Sequence, residues 1–249
     1  MPEPRAEINK FRFFIRTPCI MLWEMNGRDK PVIRGLELTL FFCLGTVLTL
    51  TTLLAFSPFA CAQTAITYGY TVLGSISAAG ENDEFAFSGT NTDVITIRFA
   101  MTSGALGPYV ELYNPAGSRI ARSTSGVLNA SLTDTGTFKI ILRDNNNADT
   151  GTYSLSLQRV NNAGNAIVLD FGQSASGDID SFAKIITYQI SAAANDKVIV
   201  AFAKLTQSAG YFDPYLELYD STGTRIASSS SGMLTASIAS AGNLYLLVT

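Results

Sequence analysis

One phrase is written twice in this chain, as PYVELYNPAGSRIA at 108–121 and as PYLELYDSTGTRIA at 214–227. The likeness runs well past the phrase: residues 108–143 align without a gap onto 214–249, with 16 of 36 pairs identical. Upstream, 74–102 aligns onto 177–205 with only 6 of 29 pairs identical, and the changed offset leaves three extra residues in the second copy near Gln207–Asp213. Even there the apolar positions agree. Phe85, Phe87, Ile95, Ile97 and Phe99 stand opposite Tyr188, Ile190, Val198, Val200 and Phe202. These residues sit two apart, which is the period of a strand that buries one face. A repeat of about 105 residues is far longer than a solenoid unit and is the size of a domain. The chain is expected to build one β-fold twice.

The first copy offers eight strand candidates: Tyr68–Leu73, Glu84–Ser88, Asp93–Ala100, Tyr109–Tyr113, Ser118–Arg122, Val127–Leu132, Phe138–Arg143 and Tyr153–Gln158. Gly, Asn, Asp and Ser punctuate them, and no window keeps a helical period, so an all-β sandwich is expected. Eight short strands in one copy suit a jelly-roll-like arrangement. The expected organisation is a leader at 1–62 and two tandem β-sandwiches at 63–162 and 163–249. Within the repeated phrase, Val110 and Leu112 should face the core and Glu111 the solvent. Asn114-Pro115-Ala116-Gly117 reads as a type I turn, with Asp220-Ser221-Thr222-Gly223 in the second copy. On this reading Leu112→Ala costs about 2–5 kcal/mol and Glu111→Ala costs little. The sequence stops at Thr249, the partner of Arg143, so the second copy should lack the equivalent of Tyr153–Gln158. The expectation is a fragment, with more protein beyond Thr249 and an unpaired strand edge within it.

Residues 38–62, LTLFFCLGTVLTLTTLLAFSPFACA, carry no charge and follow Arg28, Lys30 and Arg34. A basic start, an apolar run and a small-x-small ending describe a secretory signal, cleaved between Ala62 and Gln63. Met25 would give such a leader ordinary length, so the true start is expected there. Two other readings are a retained membrane anchor and a lipoprotein at Cys61, the latter disfavoured by Pro58 and Phe59. The product is expected outside the cytoplasm, in the medium or the periplasm and envelope, touching membrane only if the leader is retained. Removing the leader takes away all three cysteines, so an exported product cannot rely on disulfides.

Residues 63–249 keep 10 Lys+Arg against 15 Asp+Glu, a net −5. No basic cluster marks a nucleic-acid partner. The chain has no histidine, which removes the usual general base and the commonest metal ligand. No catalytic residue and no cofactor site is assigned. Calcium is the one metal with candidates, namely Glu81, Asp83 and Glu84 in one stretch and Asp144 and Asp149 in another. Calcium needs six to eight converging oxygens, and Asn and Asp are equally at home in turns. The serine tracts near Ser123 and Ser228 lack a base and a nucleophile elbow and read as solvated hairpins. Tyr109 and Tyr215 correspond, as do Tyr113 and Tyr219. Such tyrosines could dock a protein or sugar or cover the sandwich. Arg119 and Arg225 read as surface charges after a turn.

Taken together, GENDEFAF at 80–87, DPYLELYDSTG at 213–223 and DTGTYSLSL at 149–157 resemble the bacterial pre-peptidase C-terminal domain family. The resemblance covers both copies, from about Thr71 to Thr249. It implies non-catalytic β-sandwiches appended to exported hydrolases, some of whose relatives bind calcium and protein fibres. Two departures stand out: the copies follow the leader directly, and the acidic Glu81–Glu84 stretch is replaced by Lys184-Ile185-Ile186-Thr187 in the second copy. The function expected is an accessory module recognising an unknown extracellular protein or polysaccharide. The alternatives are the front of a secreted peptidase whose catalytic domain follows Thr249, and an adhesive repeat array.

Overall fold

The computed structural model describes residues 63–203 and 214–249, all of them in strands, turns and irregular segments. The leader with Ala62 and the extra residues near Gln207–Asp213 lie outside the described residues.

The first nine strands are β1 (Thr64–Ala65), β2 (Tyr70–Ile76), β3 (Asn82–Gly89), β4 (Val94–Gly104), β5 (Pro108–Tyr113), β6 (Arg119–Ser123), β7 (Val127–Ser131), β8 (Gly136–Asp144) and β9 (Gly151–Arg159). All eight expected strands are present, and β1 adds a two-residue strand too short to carry a period. They form a larger sheet ordered β1-β3-β8-β5-β6 and a smaller one ordered β2-β9-β4-β7. Only the β1–β3 pairing is parallel. Alternation places Phe85, Phe87, Val110, Leu112, Phe138, Ile140 and Leu142 on the inner face of the larger sheet. Ile95, Ile97, Phe99, Leu128, Tyr153, Leu155 and Leu157 meet them from the smaller one. Phe87 stacks on Phe138 at 5.4 Å, and Phe99 meets Tyr153 edge-on at 5.1 Å. Each large side chain buried this way contributes about 1.5–3 kcal/mol. The turn after β5 has the expected form: Gly117 adopts φ +80° and its N–H donates to Asn114 O at 2.9 Å.

The remaining strands are β10 (Ile167–Val168), β11 (Ile186–Ala192), β12 (Lys197–Ala201), β13 (Leu216–Tyr219), β14 (Arg225–Ser229), β15 (Met233–Ser237) and β16 (Gly242–Val248). Their larger sheet runs β10-β11-β16-β13-β14, the order of the first sandwich repeated strand for strand, while the smaller sheet is the β12-β15 pair. Residues 173–179, which align with β2, form no strand. The reason is local: β2 bonds to β9 alone. Among the described residues the second sandwich has no counterpart of β9, so this segment has no ladder to join.

Residues 63–249 form one compact unit. The outer face of the first sandwich's smaller sheet lies against the outer face of the second's larger sheet. Val160, Ala163, Ile185, Tyr219, Tyr245 and Leu247 make a third apolar cluster at this junction. Around it, Gln158 Nε2 donates to Thr187 Oγ1, Ala183 N–H donates to Ser154 Oγ at 3.1 Å, and Arg98 Nη2 meets Glu217 Oε2 at 2.6 Å. A Cβ added to Gly223 would meet the Val94 side chain at 2.6 Å, so the repeated turn glycine here also permits close approach.

Candidate functional site

The outer face of the first larger sheet carries the repeated tyrosines. Strand pairing sets Tyr109 opposite Arg143, Glu111 opposite Ile141 and Tyr113 opposite Lys139, while Glu111 and Tyr113 also face Arg122 and Arg119 on β6. Tyrosines, four cations and an aliphatic centre therefore share one face.

Glu111 corrects the sequence reading. It does point away from the core, yet it is only 6% exposed. Arg119 Nη1 donates to its Oε1 at 2.5 Å, Tyr109 Oη to Oε1 at 3.2 Å, and Tyr113 Oη to Oε2 at 3.1 Å. Burial works to raise the Glu111 carboxyl, but the bonds from Arg119, Tyr113 and Tyr109 outweigh it and hold it below the usual carboxylate range. Arg119 is thus more than a surface charge after a turn, because it neutralises a carboxylate covered by two rings. The Arg143 guanidinium lies 3.7 Å from the centroid of the Tyr109 ring and also donates to Asn147 Oδ1 at 3.0 Å. Lys139 Nζ sits 5.2 Å from the Tyr113 ring and bonds Glu84 at 3.2 Å. Arg122 is exposed and has no ion pair among the described residues. It lines a shallow groove of about 460 Å³ with Tyr109, Ser123, Thr124, Ser125 and Asn145.

The second sandwich repeats the carboxylate at its centre. Glu217, 4% exposed, takes Arg225 Nη1 at 2.5 Å and Tyr219 Oη at 3.2 Å on Oε1, while Oε2 accepts Arg98 from the other sandwich. Burial beside this carboxylate pushes the Tyr219 hydroxyl up to about 12. Tyr245 and Leu247 stand where the first sandwich has Lys139 and Ile141, so the one change of character is a tyrosine ring in place of a cation, and both join the apolar cluster against the first sandwich.

Four of the five calcium candidates have another partner, and the fifth, Asp149, contributes its backbone N–H to Asp144. Asp144, 1% exposed, accepts N–H bonds from Gly107, Asn146, Ala148 and Asp149 at 2.8–3.2 Å. Burial opposes its charge, and those four donors hold its carboxyl below the usual range. Glu81 Oε2 accepts from Ser77 N, Ser77 Oγ and Ala78 N. Asp83 accepts from the buried Tyr153 hydroxyl, and burial raises its carboxyl while that bond lowers it and Glu81 raises it further. Glu84 receives Lys139 and the Gln63 side chain. Among the described residues no three His, Cys, Asp or Glu side chains gather as a metal site. The serine tracts form matching hairpin contacts, Ser123 with Ser125 and Ser229 with Ser231.

No family model matches the chain, and no curated protein matches it. Among solved structures, the pre-peptidase C-terminal domain of a collagenase from Bacillus anthracis is 20% identical, with 39% of this chain and 94% of that one covered and a TM-score of 0.33. The periplasmic inhibitor of g-type lysozyme from Aeromonas hydrophila is 12% identical, with 38% and 96% covered and a TM-score of 0.30. Its counterpart from Salmonella Typhimurium is also 12% identical, with 38% and 97% covered and a TM-score of 0.28.

Proposed function

We propose that the chain is a non-catalytic recognition module of an exported protein and that it meets an extracellular protein with the outer face of its first larger sheet. One observation carries this reading. The equivalent face of the second sandwich packs against a sheet and pairs its buried Glu217 with that sheet's Arg98, while the first sandwich carries its own Glu111, 6% exposed beneath Tyr109, Tyr113 and Arg119, on a face that no other sheet covers among the described residues. Half-buried Tyr113 offers ring area at low entropic cost, Arg143 covers the 7% exposed Tyr109, and Arg122 adds at the rim a cation with no ion pair among the described residues. The leader pattern supports export, and the lack of histidine supports a role without catalysis.

The test places a photo-crosslinking residue at position 122, or as a control at Asp178 on the second sandwich, in protein applied to the producing cell's medium and envelope. A discrete protein adduct is expected from position 122, absent at the control site and lost on Tyr113→Ala with Glu111→Ala. The same adducts from both sites would reject the face. Retention on a polysaccharide fraction without protein adducts would reject the class of partner. N-terminal sequencing of the same material should begin at Gln63.

A further inference from the structure

At the junction the two carboxylate oxygens of Glu217 divide their roles. Its Oε1 accepts from Arg225 and Tyr219, and its Oε2 accepts from Arg98 of the neighbouring sandwich. Glu111 makes no such division. Its Oε1 accepts from Arg119 and Tyr109, and its Oε2 accepts from Tyr113. The place that Arg98 takes in the second sandwich is filled in the first by a tyrosine hydroxyl of its own. A partner's cation therefore meets a carboxylate that is buried and already bonded on both oxygens.

What this face leaves unmatched is positive. Arg119, Arg122, Lys139 and Arg143 stand on it against Glu84 and Glu111, four cations to two carboxylates, although residues 63–249 carry a net −5. Arg119 is paired with Glu111 and Lys139 with Glu84, so the excess rests on Arg122 and Arg143. Neither makes an ion pair among the described residues. Arg143 Nη1 donates to the carbonyls of Asp144 and Asn145 and to Asn147 Oδ1. The adjacent Asp144 carboxylate turns both oxygens to backbone N–H groups. Exposed Arg122 lines the groove beside Tyr109, the ring that Arg143 covers. Thr124 and Asn145 line it too, and their side chains make no hydrogen bond among the described residues. Ser228 stands in place of Arg122 in the second copy, which keeps Glu217, Tyr219 and Arg225, so the central carboxylate does not need that cation.

We propose that this groove binds a carboxylate, presented by the partner as an aspartate or glutamate side chain and held by Arg122 and Arg143, with Thr124 and Asn145 as further donors. This rests on the protein partner proposed above, since the anionic side chains of a protein are carboxylates. A planar guanidinium donates two parallel N–H bonds to such a group. The order of charge is the reverse of the junction's, where the second sandwich supplies the acid and its neighbour the arginine.

The probe is a short capped peptide of alternating glycine and glutamate, with a glutamine version as its neutral twin. Each is titrated into the full chain while the arginine side-chain N–H signals are followed by NMR. Saturable shifts at Arg122 and Arg143 are expected with the glutamate peptide alone, weakened by added sodium chloride. Arg122→Ser, at an exposed residue, should keep the melting temperature and weaken the peptide about tenfold. Arg122→Lys should recover part of that loss. The proposal is overturned if no shift saturates, if the glutamine peptide shifts the same signals, or if Arg122→Ser binds as tightly as the parent. It is equally overturned if sodium sulfate displaces the peptide far better than sodium chloride at matched ionic strength, which would make the groove a site for tetrahedral anions. The partner is read separately, with the photo-crosslinking residue at Thr124 and the same medium and envelope. Its adduct should be lost when Arg122→Ser and Arg143→Gln are combined, whereas either cation alone keeps a weaker hold. An adduct that survives both substitutions would overturn the carboxylate site and leave the face as the docking surface. Saturable glutamate-peptide binding without any adduct would overturn the protein partner and leave the carboxylate site.

Discussion

The Arg98–Glu217 contact joins the two sandwiches and lends itself to a double-mutant cycle. The two side chains are 15% and 5% exposed and 2.6 Å apart. Arg98→Met keeps most of the aliphatic packing and leaves Glu217 with Arg225 and Tyr219. It removes one charge-assisted bond, a loss of about 1.5–3 kcal/mol. Glu217→Gln is more severe, because it strands a buried guanidinium whose Nε already lacks a partner and also weakens the hold on Arg225. Removing one member of a buried pair costs about 3–5 kcal/mol. In the double variant no charge is stranded by Arg98, so the combined loss should fall short of the sum by about 1–3 kcal/mol. Urea titration of residues 63–249 followed by tyrosine emission reads this directly, since all ten tyrosines and no tryptophan lie there. Additivity within about 0.5 kcal/mol would show that the pair is not coupled and that the apolar cluster alone holds the junction.

Glu111→Ala should destabilise by about 2–4 kcal/mol, close to the loss from Leu112→Ala, because it leaves two tyrosine hydroxyls and Arg119 without their acceptor; denaturant titration of both variants checks this. The lowered carboxyls of Glu111 and Asp144 contribute stability that is fully present above the ordinary carboxylate range and lost as pH falls through their depressed values. Glu111→Gln should therefore shallow the acid limb of a melting-temperature profile. Asp83 behaves oppositely: its raised carboxyl gives stability present below the unfolded value and lost as pH rises through the folded one. Asp83→Asn should accordingly stabilise at neutral pH relative to its effect in acid, as read by the same profile. Asp144→Ala should lower the melting temperature by the same amount with calcium as with a chelator, because its acceptor role is to four backbone N–H groups; a loss seen only in calcium would assign it to a metal.

Most of the architecture was legible because strand period and turn chemistry are local. Ile95, Ile97 and Phe99 announce an inner face by spacing alone, and Asn114 to Gly117 announce a turn by residue type. Glu111 was misread for the same reason. Alternation tells which side of a sheet a residue takes and says nothing of what lies over that side. Its cover comes from Tyr109 and Tyr113 two residues away and from Arg119 across the hairpin. The signal was present, since Glu and Arg recur eight apart in both copies, but a pairing across a turn has no trace in periodicity. Arg98 shows the harder case. Its partner lies 119 residues away on the other sandwich, and only the assembled fold brings them together. Residues 173–179 show the same dependence: among the described residues they lack the neighbour that β2 has in β9, and they form no strand.

The contact between the sandwiches uses two unlike surfaces, and this bears on how the copies could diverge. Had each copy offered the same patch to the other, every change would have acted on both sides of the seam at once. Here one copy needed an arginine on β4 and the other an apolar β16, so each was free to drop what it did not use. The sequence records that freedom: Ala201 stands where its twin has Arg98, and Lys139 where its twin has Tyr245. A seam of unlike faces lets two sandwiches of the same strand order carry different residues where they meet.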